Sequence, residues 1–160
     1  LDNVFYSISM TTRAPRPGEK EAKEYFFTTR SDFEKRIEAD EFLEWADVYG
    51  NLYGTPQETV DNKLCEGLDV ILEVDVQGAL QVKKKRSEAI YVFILPPSLE
   101  ELFKRIKKRN LDDLPNINKR MAKAESEIAL ADNFNYQVLN SDADQAADEL
   151  YKLIVSEVQQ

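Results

Sequence analysis

The chain has 160 residues, 42% hydrophobic and 32% charged, which suits one core domain with a small insertion, and it contains no apolar run near the roughly 20 residues a bilayer span needs. Thirty acidic against 21 basic residues give a net charge of −9, which disfavours DNA or RNA as a partner but leaves room for a small anion where a few arginines converge. Histidine is absent, which excludes Ser-His-Asp and Cys-His triads and histidine-held metals, and the single Cys65 excludes an internal disulfide.

Taken in chain order, "VFYSIS" (4–9) reads as a strand almost at the first residue, so the chain is expected to begin in the middle of structure. "KEYFFTT" and "EFLEWADVYGNLYGTP" read as further strand pieces, with turns at Pro17-Gly18 and Gly50-Asn51. Between them "SDFEKRIEAD" predicts a short helix opened by a capping box from Ser31 to Glu34. "TPQETVDNKLCEG" predicts another, with Pro56 at its first position, Glu58 completing a capping box and Gly67 ending it. Cys65, near that helix end, reads as a buried small hydrophobe.

From residue 69 the pattern becomes strand, helix, strand, helix. The strands are "DVILEVDV" (69–76), "AIYVFIL" (89–95) and "YQVLN" (136–140). "PPSLEELFKRIKKR" carries a capping box at Ser98 and Glu101 with an apolar face of Leu99, Leu102, Phe103 and Ile106, and "SDADQAADELYKLIVSEV" is again amphipathic, capped by Ser or Asp. Such alternation predicts an α/β fold with a parallel sheet flanked by helices, and residues 9–57 a mixed-strand subdomain inserted into it.

Four clusters carry candidate chemistry. In "SISMTTRAPRPGE", Pro15 and Pro17 stiffen the backbone around Arg16, so that Arg13 and Arg16 offer guanidinium forks to phosphate oxygens and Ser9 and Thr12 add neutral donors. A solvated turn is the plainer alternative. In "FLEWADVYGNLYGTP", Glu44 interrupts an apolar run beside Tyr49 and Tyr53. A carboxylate there is costly to bury unless bonded, and it could accept guanine's N1 hydrogen and 2-amino group together; strand alternation could instead set it on a wet face. In "VILEVDVQG", Glu73 and Asp75 stand two apart near a strand's carboxyl end, where open α/β sheets bind ligands and where magnesium-linked carboxylates occur. The alternative is a pair of acids on an edge strand. Finally "KRIKKRNLDDLPNINKR" sets basic residues around a polar link, as a helical lid would, although basic residues late in a helix are also favoured by its dipole.

In this order and spacing the clusters resemble guanylate kinase, a nucleoside-monophosphate kinase family, over essentially the whole chain. "SISMTTRAPRPGE", "EYFF", "FLEWADVYGNLYGTP", "ILEVDVQGA" and "LPPSLEEL" carry the resemblance. It implies a single P-loop kinase-type domain over 1–160, with a GMP-binding subdomain at 9–57 and a lid at 104–121, transferring the γ-phosphate of ATP to GMP with Mg2+. By position it implies that Ser9, Arg13, Arg16, Tyr25 and Tyr53 hold the GMP phosphate and that Glu44, Thr55 and Asp75 read guanine. Arg105, Arg109 and Arg120 then act in catalysis with Arg13, the first two also approaching ATP. No protein-bound metal site, nucleic acid or membrane partner is implied; the expected protein is a cytoplasmic monomer or homodimer.

Two departures qualify the resemblance. No G-x-x-x-x-G-K-[ST] phosphate loop occurs in these residues, so the expectation is that an upstream strand, phosphate loop and helix belong to the whole protein and that this stretch alone is inactive. The lid's "RGT" of many relatives is Arg109-Asn110-Leu111 here. The competing function is a guanylate-kinase-like domain that has lost ATP binding and holds partner proteins.

Overall fold

The opening strand-like run serves two different sheets. In the computed structural model, which describes residues 3–109 and 114–158, the chain forms two units, Leu1–Ala89 and Ile90–Gln160. The first contains β1 (Val4–Tyr6), β2 (Met10–Thr11), β3 (Phe26–Phe27), α1 (Arg30–Glu38), β4 (Phe42–Val48), β5 (Asn51–Pro56), α2 (Gln57–Cys65), β6 (Asp69–Ile71) and α3 (Val76–Lys85). β1 and β6 form a parallel pair with Val4 opposite Asp69 and Tyr6 opposite Ile71. The chain then crosses into a mixed sheet of order β3-β2-β5-β4. In it β2 pairs with β3 in parallel and with β5 antiparallel, and β4 and β5 form a hairpin.

The hairpin turns at Tyr49 and Gly50, both at positive φ (53° and 86°), one residue earlier than the sequence suggested. Two left-handed residues match the strand twist, and Asp47 Oδ1 accepts from Gly50 N at 2.7 Å to close the turn. Phe33 from α1 stacks on Phe42 with ring centroids 4.3 Å apart, and together with Leu52 they form the buried centre of this sheet's packed face.

Several capping expectations are corrected. α1 starts on Thr29 rather than Ser31, because Thr29 Oγ1 already accepts from Asp32 N at 3.1 Å. Pro56 is the cap residue of α2 rather than its first helical residue, and as a proline it has no side-chain acceptor for a cap bond. The ladder expected over 69–76 ends at Ile71, and Asp75 caps α3 by accepting from Gly78 N at 2.8 Å. Glu73 and Asp75 therefore lie beyond the paired strand. Cys65 is exposed, because α2 turns its polar face outward there and buries Val60 instead.

The second unit contains β7 (Val92–Leu95), α4 (Leu99–Arg109), α5 (Leu114–Ile128), β8 (Tyr136–Leu139) and α6 (Ala143–Val158). β7 and β8 pair in parallel, Val92 opposite Tyr136. Phe93, Val138, Ile117 and Ala146 are buried in it, and Phe134 meets Phe93 edge to face at 5.0 Å. Ser98 Oγ accepts from Glu101 N at 3.1 Å, the cap expected for α4, and Asp142 supplies the one expected before α6. The expected lid falls on the end of α4 and the start of α5; its residues 110–113 lie outside the described residues. Among the described residues no helix is long and apolar enough to cross a membrane.

Candidate functional site

Within the first unit, the carboxyl end of β1, the inner face of the mixed sheet and the segment entering α3 enclose a cavity of about 280 Å³. Five of the eight residues expected to hold a nucleotide line it: Ser9, Tyr25, Glu44, Tyr53 and Asp75. Each is delivered by a different local device. Ser9 sits in the crossing between β1 and β2, Tyr25 just before β3, Glu44 in β4, Tyr53 in β5 and Asp75 at the cap of α3.

Glu44 is 5% exposed. A β-bulge between Phe42 and Glu44 lets three consecutive residues, Phe42, Leu43 and Glu44, all be buried, which simple alternation forbids. Thr55, opposite in the hairpin and 1% exposed, donates its hydroxyl to Glu44 Oε1 at 2.6 Å. Burial still raises the Glu44 carboxyl above the usual range, and the nearby Asp75 charge adds to the rise while the Thr55 bond opposes it. Thr55 thus stands behind the cavity wall and acts through Glu44.

Arg13 also stands behind the wall. Its guanidinium donates to Tyr53 Oη at 3.2 Å, forks onto Glu19 at 2.9 and 3.0 Å and lies 5.3 Å above the Tyr25 ring. The Glu19 pair raises the Arg13 pKa further and lowers that of Glu19. Glu19 Oε2 also accepts from Arg16 N at 2.7 Å, so one carboxylate organises the whole proline-stiffened loop. The Arg16 side chain is exposed. Ser7 and Ser9, upstream of β2, line the cavity, whereas Thr12 Oγ1, expected as a further donor, accepts from Leu52 N at 2.9 Å, and Arg13 is held one layer back.

Four polar residues lining the cavity were not among the eight expected to hold the nucleotide: Tyr6, Ser7, Glu24 and Glu73, the last singled out only as a neighbour of Asp75. The Tyr6 hydroxyl donates to Glu73, and burial of the oxygen with that bond pushes the phenol up to about 12. Tyr6 ends β1 and Ser7 follows it, and the rule that ligands sit beyond the carboxyl ends of parallel strands is the signal that would have found them.

The remaining expected residues lie in the second unit. Arg105 donates to the carbonyls of Asn140 (3.0 Å) and Ser141 (3.2 Å) and to Glu101 Oε1 at 3.2 Å, tying α4 to the exit of β8. Arg120 is half-buried on α5. Arg109 ends α4, and its side chain lies outside the described residues. Among the described residues no three acidic, cysteine or histidine side chains converge as a metal site.

Comparison with known proteins gives the chain's relatives. The sequence model of the family described as guanylate kinase matches residues 2–157. The chain is 50% identical over 151 residues to the guanylate kinase of Caldanaerobacter subterraneus subsp. tengcongensis, covering 94% of this chain and 73% of that protein. It is 51% identical over 155 residues to that of Carboxydothermus hydrogenoformans, covering 97% and 76%. The crystal structure of guanylate kinase from Anaplasma phagocytophilum superposes with a TM-score of 0.82 at 33% identity, covering 98% of this chain and 77% of that one.

Proposed function

The chain belongs to the guanylate kinase family and is an ATP:GMP phosphotransferase of that family; we propose that the cavity of the first unit receives GMP. The observation that carries this reading is the buried Glu44, held on one oxygen by Thr55 in a cavity that Asp75 also lines. A buried carboxylate fits two adjacent N–H donors, and guanine offers them at N1 and the 2-amino group.

The hydroxyls of Ser9, Tyr25 and Tyr53 supply neutral donors for the GMP phosphate, backed by the positive charge of Arg13, and we assign the exposed Arg16 of the same loop to the phosphate as well. Phosphoryl transfer asks the protein chiefly to position two nucleotides in line and to stabilise the charge between them. Arg105, Arg109 and Arg120 are the residues we assign to ATP and transferring-phosphate charge. Magnesium, when bound with ATP, would neutralise phosphate charge, and kinases hold it through one or two carboxylates, substrate oxygens and water. We place the protein in the cytoplasm, as a monomer or homodimer; sedimentation of the purified protein tests the oligomeric state.

Calorimetric titration of GMP, IMP and AMP into the protein tests the site. GMP binding that exceeds IMP and AMP, and that Glu44→Gln weakens selectively without removing it, is the expected result. Equal affinity for all three would withdraw the guanine assignment. A folded protein that binds none of them would favour the partner-binding alternative.

A further inference from the structure

Helix α3 presents one face to strand β4 through Gly78, Gln81 and Lys85, the i, i+3, i+7 spacing of a single helical stripe. At Gly78 there is no side chain, and a Cβ there would stand 2.6 Å from Glu44 Oε2 and 3.1 Å from Glu44 Cδ, so the carboxylate rests against the helix's first turn. One turn on, the Gln81 amide bonds the Trp45 backbone in both directions, Nε2 to Trp45 O at 2.7 Å and Trp45 N to Oε1 at 3.2 Å. Lys85 Nζ donates to Phe42 O at 2.9 Å.

β4 is the edge of the four-stranded sheet, so its outward N–H and C=O groups have no neighbouring strand. The Gln81 amide takes the place of one, at the residue immediately after Glu44. The same helix carries Asp75 at its cap. Of the two acids assigned to the base, Asp75 is thus built into α3, and the strand carrying Glu44 is clamped to α3 by Gln81.

We propose that Gln81 is a positioning residue for guanine recognition, setting the Glu44 carboxylate against Asp75 by fixing β4 on α3. The proposal rests on the assignment of Glu44 to the base. Gln81 itself touches no substrate; it lies outside the cavity lining, and its action runs through the Trp45 backbone. Nothing in its sequence context marks it, because a glutamine mid-helix reads as a solvated polar position.

The test is a double-variant cycle read by calorimetric binding of GMP and IMP to the full chain: the unsubstituted protein, Gln81→Met, Glu44→Gln, and both together. Methionine keeps the length and loses both hydrogen bonds. Gln81→Met is expected to weaken GMP about tenfold, the value of one or two lost hydrogen bonds, and to shrink the preference for GMP over IMP. In the Glu44→Gln background the same substitution is expected to change GMP affinity less than about twofold, since a group acting only through Glu44 has nothing left to position. Equal losses in both backgrounds mean general loosening of the fold and overturn the proposal, as does no loss in either. Should Gln81→Met not fold, Gln81→Glu keeps the acceptor for Trp45 N and opposes Trp45 O, and the same cycle applies. If Glu44→Gln alone leaves GMP affinity unchanged, the base assignment itself falls, an outcome distinct from failure of the clamp.

Discussion

Thr55 Oγ1 donates to Glu44 Oε1 at 2.6 Å across the β4–β5 hairpin, and both side chains are almost wholly removed from solvent. A buried carboxylate loses about 1–3 kcal/mol when such a partner is deleted, because the desolvated oxygen is left unpaired. Thr55→Val, nearly the same shape without the donor, is expected to destabilise the fold by that amount in urea unfolding and to weaken GMP about tenfold. Thr55→Ser keeps the hydroxyl and is expected to retain both within a factor of a few. Equal behaviour of the two variants would separate Thr55 from Glu44's function.

The raised pKa of Glu44 fixes a sign for pH dependence. Folding favours the protonated form, so this group's stabilising contribution is complete below the ordinary carboxylate range and is lost as pH rises through the raised folded value. Glu44→Gln is therefore expected to raise the thermal midpoint at pH 7 relative to the unsubstituted protein, with the difference vanishing below about pH 4. Ligand selectivity runs the opposite way. Protonation removes an acceptor, so the GMP-to-IMP affinity ratio is expected to fall as pH drops through the raised value, the phosphate's own titration cancelling in the ratio. A ratio flat with pH would place guanine recognition elsewhere.

Arg13 combines a fork onto Glu19, a bond to Tyr53 and a ring contact with Tyr25. Lysine keeps the charge but cannot make the fork. Arg13→Lys is expected to cost little stability, while weakening GMP on the order of tenfold to a hundredfold through the disordered Tyr53 hydroxyl and the displaced charge. Comparing titrations of GMP and guanosine isolates the effect, which is confined to the phosphate-bearing ligand if Arg13 serves the phosphate.

The second unit was readable because its helices keep one apolar stripe each and its caps are single hydroxyl or acidic residues in the right places, as Ser98 and Asp142 show. Where two cap residues competed, local pattern chose Ser31 and the backbone chose Thr29. The motif order pointed to the family, yet the state of Glu44 could not be decided from alternation. The bulge that buries it is a property of the β4–β5 register, and the hydroxyl that satisfies it comes from a residue eleven positions away. Likewise the loop arginines read as free donors, whereas Glu19, six residues past Arg13, already holds that guanidinium. Both partners stand inside the quoted motifs, but which side chains a turn or a bulged hairpin brings together is set by backbone geometry that residue pattern does not carry.

Gly54 makes the last case, because it has no side chain where three neighbours converge. It sits in β5 between Met10 of β2 and Trp45 of β4, on the face covered by the stacked Phe33 and Phe42 rings. A Cβ there would lie 2.9 Å from Phe42 Cδ1, 3.0 Å from Phe33 Cζ and 3.0 Å from the Glu44 carbonyl oxygen. The two rings can shift by a few tenths of an ångström, but the carbonyl belongs to the backbone of a paired strand and carries Glu44 with it. Gly54→Ala is therefore expected to cost about 1–3 kcal/mol in urea unfolding, the usual range for overpacking. Adding Phe42→Leu should recover only part of that, since it relieves the ring contact and leaves the carbonyl one. GMP affinity should stay reduced in the double variant for the same reason. Full recovery of both stability and affinity would show that the rings alone exclude a side chain at this position and that the backbone of Glu44 has room to yield.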